Sequence, residues 1–156
     1  MRRTRRLSGI ANRQRRARPR RTAIEALLDH VLAAEGNRRG VEIAMLGLRT
    51  MRDLHRVWLG DDAPTDVLSF PCGSPPPGVP IDAAPLGEVV ICVPFCEQSA
   101  GERGIPLHEE IARVMIHGTL HLLGYDHVTA EQARRMRPRE ARYHRWYRLS
   151  GLEVTR

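Results

Sequence analysis

The stretch that organises the chain is His117-Gly-Thr-Leu-His121-Leu-Leu-Gly124-Tyr-Asp-His127. His117 and His121 are four residues apart, so on a helix their imidazoles leave the same face one turn apart and can bind one ion. Gly124 follows where the helix is expected to end, because glycine adopts the left-handed conformation at little steric cost. The chain can then turn back and bring His127 to the same point as a third ligand.

Three imidazoles are typical of a catalytic zinc site, because the fourth tetrahedral position stays open for water. Nitrogen ligands suit zinc better than magnesium or calcium, although nickel or cobalt could replace it. The alternative is that each histidine is a core residue satisfied by an ordinary hydrogen bond. Residues 111–123 are otherwise almost wholly apolar, so two unpartnered imidazoles there would cost free energy. This favours one zinc ion per chain, held by His117, His121 and His127.

The same histidine spacing occurs in the metzincin peptidases, whose pattern HExxHxxGxxH has a glutamate after the first histidine as general base. Here that position is Gly118, which cannot accept a proton from water, so peptide hydrolysis is disfavoured. The nearest motif carboxylates, Asp66 and Asp126, are interpreted as caps or as partners that hold a histidine tautomer. No side chain is assigned as general base; the ion itself would activate the water.

The chain of 156 residues is expected to be one domain, 1–156, with a core that needs no disulfides. Its three cysteines, Cys72, Cys92 and Cys96, are an odd number, which fits a reducing compartment. Cys92 and Cys96 could alternatively be half of a second metal site, but no second pair completes it. No apolar run is long enough to span a bilayer and the N-terminus lacks a secretory signal, so we expect a cytoplasmic protein.

Positive charge is concentrated at one end of the chain. Ten of the 25 arginines lie in the first 22 residues, which leaves 15 against 18 acidic residues. We therefore expect a basic arm at about 1–22, whose arginines face solvent and can contact the phosphates of a polyanionic partner. The arginines in question are at positions 13, 15, 16, 18, 20 and 21. The alternatives are a solvated tail that binds nothing and an organellar transit peptide.

Periodicity and turn residues predict the remaining elements. Strands are expected at about 7–12, 41–48, 65–70 and 88–93. Helices are expected at about 22–35, 50–58, 94–101, 107–123 and 130–150. Thr22 and Thr50 are expected to cap helices, and Thr129 with Gln132 to form a capping box. The helix that starts at Pro94 is expected to break at 101–106. The proline-rich segment 71–87 is expected to be a loop, either a mobile rim or a poorly ordered insert.

Two further motifs, Pro64-Thr-Asp-Val-Leu-Ser-Phe-Pro71 and Leu86-Gly-Glu-Val-Val-Ile91, precede the histidines. With them, residues 7–152 resemble the bacterial rRNA maturation factors of the YbeY type. That resemblance implies an α+β domain with a four-stranded mixed sheet, about five helices, and a zinc site at the end of a buried helix. It also implies a single-strand-specific endoribonuclease that acts in 16S rRNA 3′-end maturation and ribosome quality control. Its partners would be rRNA and ribosomal particles.

The chain departs from that family at Leu59, where many members have an arginine thought to serve the RNA. Arg56 would lie about 60° away around a helix, so the role is not transferred to it. The glycine at position 118 agrees with the family, and the RNA's own 2′-hydroxyl is an alternative nucleophile to water. Two other functions stay open. One is a zinc-stabilised ribosome assembly factor without turnover, and the other is a metal-dependent hydrolase of peptides or small molecules.

Overall fold

The computed structural model describes residues 6–156 and contains one mixed sheet with helices on both faces. The strands are β1 (Leu7–Arg13), β2 (Val41–Leu46), β3 (Val67–Pro71) and β4 (Gly87–Cys92). The helices are α1 (Arg21–Ala34), α2 (Leu48–Leu59), α3 (Val93–Arg103), α4 (Leu107–Leu122) and α5 (Ala130–Ser150), with a 3₁₀ turn at Ile81–Ala83. This confirms the predicted single-domain α+β class. None of the helices described is long and apolar enough to cross a membrane.

The strand order is β1-β2-β4-β3. β1, β2 and β4 run parallel, and β3 pairs antiparallel with β4 at the edge of the sheet. Parallel neighbours need a long crossover connection, and α1 supplies it between β1 and β2. Pro71, opposite Gly87 at the end of β3, is tolerated because an edge strand can lack one backbone donor.

The two faces of the sheet bury different amounts of apolar surface. On one face α1 and α4 cover the inward side chains of the strands, including Ile43, Val89 and Ile91, which are at most 1% exposed, and α5 packs on α4. On the other face a smaller cluster joins Leu46 and Val90 to Met51 of α2. The helix that carries the histidines, α4, therefore lies between the sheet and α5.

The proline-rich loop between β3 and β4 is tied to the domain by Arg39. Its guanidinium donates hydrogen bonds to the carbonyl oxygens of Gly73 (2.6 Å), Ala84 (3.2 Å) and Pro85 (2.5 Å). One side chain thus satisfies backbone acceptors at both ends of a segment too rich in proline for regular structure. Both ends of the loop are therefore fixed to the domain.

Two local predictions about helix starts are wrong. α1 begins at Arg21 and not after a Thr22 cap, and α2 begins at Leu48 with Gly47 at its N-cap and not Thr50. The segment before α1 is bonded to the C-terminal residues, with Arg20 N donating to the Val154 carbonyl oxygen at 2.8 Å, and α2 follows β2 after the single residue Gly47. Neither threonine is therefore at the position where its hydroxyl could cap. α3 ends at Gly104 in the left-handed conformation (φ +66°), within the predicted break at 101–106. The capping box of Thr129 and Gln132 is confirmed.

The described part of the basic arm is folded into the domain. Residues 7–13 form β1, and the next segment pairs with the C-terminal residues through an isolated bridge between Pro19 and Thr155. Backbone hydrogen bonds join Arg18 to Arg156 in both directions, at 3.1 and 2.9 Å. The arginines that follow β1 are consequently held on a fixed surface. The first five residues of the predicted arm lie outside the described part of the chain.

Candidate metal centre

The structure brings His117, His121 and His127 together. One ring nitrogen of each lies within 4.8 Å of the others, and His117 Nε2 is 3.0 Å from His121 Nε2. Tetrahedral zinc with bonds of about 2.0–2.1 Å places its ligand nitrogens about 3.3 Å apart. The donor set and its spacing therefore fit a zinc ion with one coordination position left open. No other cluster of three such ligands occurs in residues 6–156.

The turn predicted at Gly124 delivers the third histidine. α4 ends at Leu122, and Gly124 adopts φ +97°, a conformation that a residue with a Cβ rarely adopts. The His127 ring then lies 5.3 and 5.1 Å from the rings of His117 and His121, measured between centroids. His127 is exposed, whereas the two helical histidines are half-buried, so the open side of the site faces solvent.

The loop that carries His127 is anchored through Tyr125. The Tyr125 hydroxyl donates to one oxygen of Glu35 at 2.8 Å, and the Tyr143 hydroxyl donates to the other at 2.5 Å. Burial, followed by the Glu35 carboxylate, raises the pKa of Tyr143 to about 12, so this hydroxyl remains a donor at neutral pH. Arg139 completes the cluster with its Nε 3.3 Å from Glu35. Contacts from the end of α1 and from α5 thereby fix the loop that carries His127.

A carboxylate that sequence reasoning missed lies directly behind the histidines. Glu140 of α5 is hydrogen-bonded through Oε1 to His117 Nδ1, which leaves His117 Nε2 facing His121. A carboxylate on the far nitrogen of a ligating histidine fixes its tautomer and raises its basicity. Burial raises the pKa of Glu140, but the hydrogen bond to His117 and the neighbouring charges outweigh it and place that pKa below its usual range.

The signal that could have identified Glu140 is its place on the buried stripe of α5. It stands one helical turn after Met136 and one before Tyr143, which are 1% and 0% exposed. An acidic residue on an apolar stripe needs a partner. The sequence did not reveal that this partner is His117, because the two residues are brought together only by the packing of α5 on α4.

The protonation of His121 favours metal binding. Burial lowers the pKa of His121, and the nearby His117 and His127 lower it further. A depressed pKa keeps the imidazole neutral at neutral pH, and only a neutral imidazole can donate its lone pair to a metal.

Gly118 allows α4 to approach the sheet closely. A Cβ at this position would lie 2.7 Å from Val89 Cγ1 and 3.0 Å from Ser69 Oγ. The Ser69 hydroxyl also donates to the Gly118 carbonyl oxygen at 2.9 Å. Any larger side chain, including the peptidase glutamate, would push the histidine helix away from β3 and β4. The close packing of α4 on the sheet thus requires a glycine at position 118. The same glycine leaves the site without the glutamate that serves as general base in the peptidases.

We therefore expect Gly118→Ala to destabilise the protein. Alanine normally stabilises a helix relative to glycine by up to about 1 kcal/mol. At position 118, however, the added methyl group would meet Val89, which is fully buried and has a stiff side chain. Overpacking of this kind costs about 1–3 kcal/mol, so the free energy of unfolding in denaturant should fall. Gly101→Ala is the matched control, because a Cβ there meets no atom within 4 Å and should stabilise α3. An equal rise in the free energy of unfolding of both variants would show that position 118 has room for a side chain.

The histidines open into a cleft of about 500 Å³ between α4 and β3. Its wall includes Leu59, Asp66 and Ser69. Asp126 instead accepts a hydrogen bond at 2.7 Å from the His127 backbone nitrogen, as a local cap. Arg56 pairs with Asp53 at 3.1 Å and is not among the lining residues, so it does not occupy the place of the family arginine.

Fold and site together define a single-domain α+β protein with a candidate three-histidine metal centre at a solvent-facing cleft. The sequence model of the family described as Endoribonuclease YbeY matches residues 9–147. The chain belongs to this family, as its three motifs predicted.

Curated relatives agree with this assignment. A protein of Halorhodospira halophila named Endoribonuclease YbeY is 41% identical over 125 residues, which cover 80% of this chain and 80% of the relative. One of Persephonella marina with the same name is 44% identical over 112 residues, covering 70% and 69% of the two chains. A solution structure of a Thermotoga maritima protein superposes with a TM-score of 0.63 at 24% identity, over 90% of this chain and 88% of that one. This last similarity confirms the fold.

Proposed function

We propose that the chain is a zinc-dependent endoribonuclease that cleaves single-stranded RNA in the cytoplasm. Its substrates would be rRNA and ribosomal particles, and its roles 16S rRNA 3′-end maturation and ribosome quality control. The observation that carries the proposal is the convergence of His117, His121 and His127 at an open cleft, in a chain of the Endoribonuclease YbeY family.

The residues of the site divide into three roles. The three histidines would hold the metal, and Glu140 would orient His117 through Nδ1. Gly118 and Ser69 set the distance between the histidine helix and β3. A bound zinc ion would supply Lewis acidity toward the phosphoryl oxygen and toward water. Asp66 lines the cleft, and no side chain is assigned as general base.

The test is incubation of metal-loaded protein with single-stranded and structured rRNA fragments, with His117→Ala as the control. Cleavage of single strands that disappears in the control supports the nuclease. Binding of rRNA without cleavage by the parent protein would favour the second candidate, an assembly factor without turnover. The peptidase alternative has no support in the site, because Gly118 leaves no room for a glutamate.

The basic arm would guide RNA toward the protein from outside the cleft. Three of its arginines are already paired: Arg16 with Glu97 at 2.6 Å, Arg20 with Glu153 at 3.4 Å and Arg21 with Glu25 at 3.1 Å. Three others, Arg13, Arg15 and Arg18, are exposed and form no ion pair within residues 6–156. The second set is the better candidate for phosphate contact.

Replacing Arg13, Arg15 and Arg18 with glutamine should flatten the salt dependence of RNA affinity. Each phosphate neutralised on a single strand contributes about 0.7 to the slope of log affinity against log salt, so the change should be roughly 2 units. The matched triple variant of Arg16, Arg20 and Arg21 should change the slope less. Turnover at saturating RNA should be retained in both, because the arm would bind ground and transition states alike. An unchanged slope in the first variant would show that these arginines are solvated and do not contact RNA.

A further inference from the structure

An apolar surface lies at the C-terminal end of α2, next to the cleft. Three consecutive residues, Val57, Trp58 and Leu59, are 74%, 65% and 62% exposed. Successive helical residues point about 100° apart, so no single packed face of α2 accounts for all three. A tryptophan exposed to this extent in a soluble domain is typical of a binding surface.

This surface is continuous with the histidine cleft. Leu59 and Pro71 line the cleft, while the residues just before them, Trp58 and Phe70, line a groove of about 760 Å³ between α2 and the sheet. The Trp58 and Phe70 rings are 5.8 Å apart and inclined at 64°. Trp58 therefore stands on the rim that separates the cleft from the groove, one residue away from the cleft wall on α2.

The charges around Trp58 disfavour phosphate binding at this rim. Arg52 and Arg56 are both engaged by Asp62, at 3.1 and 3.8 Å, and Arg56 also by Asp53. Asp61 and Asp66 add negative charge nearby in the chain. A nucleic-acid strand crossing this rim would find both nearby guanidiniums of α2 held by carboxylates, but an exposed indole ring for its bases. Arg13, which forms no ion pair within residues 6–156, lines the groove on the far side of the rim from the cleft.

We propose that Trp58, supported by Phe70 and Leu59, stacks on a base of single-stranded RNA whose backbone enters the histidine cleft. The inference rests on the proposed function and specifies how this chain compensates for a leucine at position 59. Affinity at the rim would come from base stacking in place of an ion pair. It would also select single strands, because the bases of a duplex are already stacked on each other.

Intrinsic fluorescence tests the contact directly, because the chain has two tryptophans. Trp146 is stacked on His30 with ring centroids 3.8 Å apart, so Trp146→Phe isolates the emission of Trp58. A short single-stranded oligoribonucleotide, added to metal-free protein so that it is not cleaved, should quench that emission. The same sequence as a duplex should not. Absence of quenching at concentrations where RNA is bound would overturn the proposal.

Variants of the otherwise unchanged chain give an independent measurement. Trp58→Ala should weaken single-strand affinity and raise KM at least five-fold, since stacking on an aromatic side chain contributes about 1–3 kcal/mol per base, while kcat changes little. Trp58→Phe should restore most of the affinity and Trp58→Leu little of it. The control is Leu149→Ala, which removes an apolar side chain that is 80% exposed on α5.

The outcomes separate this inference from the proposed function. Normal RNA cleavage with equal KM in Trp58→Ala and the parent would overturn the stacking role alone, and would leave the exposed surface to a protein partner. A parent chain that neither binds nor cleaves single-stranded RNA would overturn both.

Discussion

Replacing His121 with alanine is expected to remove the bound metal and, with it, RNA cleavage. The parent protein should contain about one equivalent of zinc per chain and the variant close to none. The reason is geometric: His117 and His121 face each other with their Nε2 atoms 3.0 Å apart, and only His127, on an exposed loop, would remain to complete the site. Two imidazoles bind zinc much more weakly than the three or four protein ligands of natural sites.

Metal analysis of the purified proteins measures this effect without any assumption about the substrate. His55→Ala is the matched control, since His55 lies on α2 outside the cluster, and within residues 6–156 its side chain is hydrogen-bonded only to the Ala63 carbonyl oxygen. It should keep its metal and its activity. Equal zinc content in the His121→Ala protein and the parent would show that the cluster is not the metal site.

The sequence predicted those parts of the fold that depend on local periodicity. The apolar run of α4, its end before Gly124 and the capping box of Thr129 with Gln132 all follow from side chains within one or two turns. The three histidines converge for the same reason, because helical spacing and one glycine turn suffice to place them. Family resemblance added the mixed sheet, whose order β1-β2-β4-β3 no local pattern specifies.

Contacts between distant segments could not be predicted from the sequence. The close approach at Gly118 depends on Val89 and Ser69, which come from two other strands. α1 begins where the chain is bonded to the distant C-terminal segment, and α2 begins one residue after β2, so neither Thr22 nor Thr50 is at the capping position. The partner of His117 is likewise on another helix, 23 residues further along the chain.

That partner, Glu140, is expected to control metal affinity without touching the metal. Its carboxylate oxygen accepts the Nδ1 proton of His117, so His117 can present only Nε2 to an ion. Arg113, which is bound to the fully buried Glu110 at 2.7 Å, is among the charges that keep Glu140 ionised. Without the carboxylate, the imidazole could rotate or adopt the other tautomer, and part of the binding energy would be spent on reorienting it.

Glu140→Ala should accordingly weaken zinc binding by about 10- to 100-fold, measured by competition with a chelator. The zinc affinity of Glu140→Gln should lie between those of the parent and Glu140→Ala, because the amide oxygen still accepts a hydrogen bond from His117 Nδ1 but carries no charge. Glu131→Ala is the control on the same helix, since Glu131 is 72% exposed and pairs only with Arg135. Unfolding of the metal-free proteins distinguishes orientation of the ligand from general packing. If metal-free Glu140→Ala is as stable as metal-free parent and also binds zinc equally well, Glu140 has no positioning role.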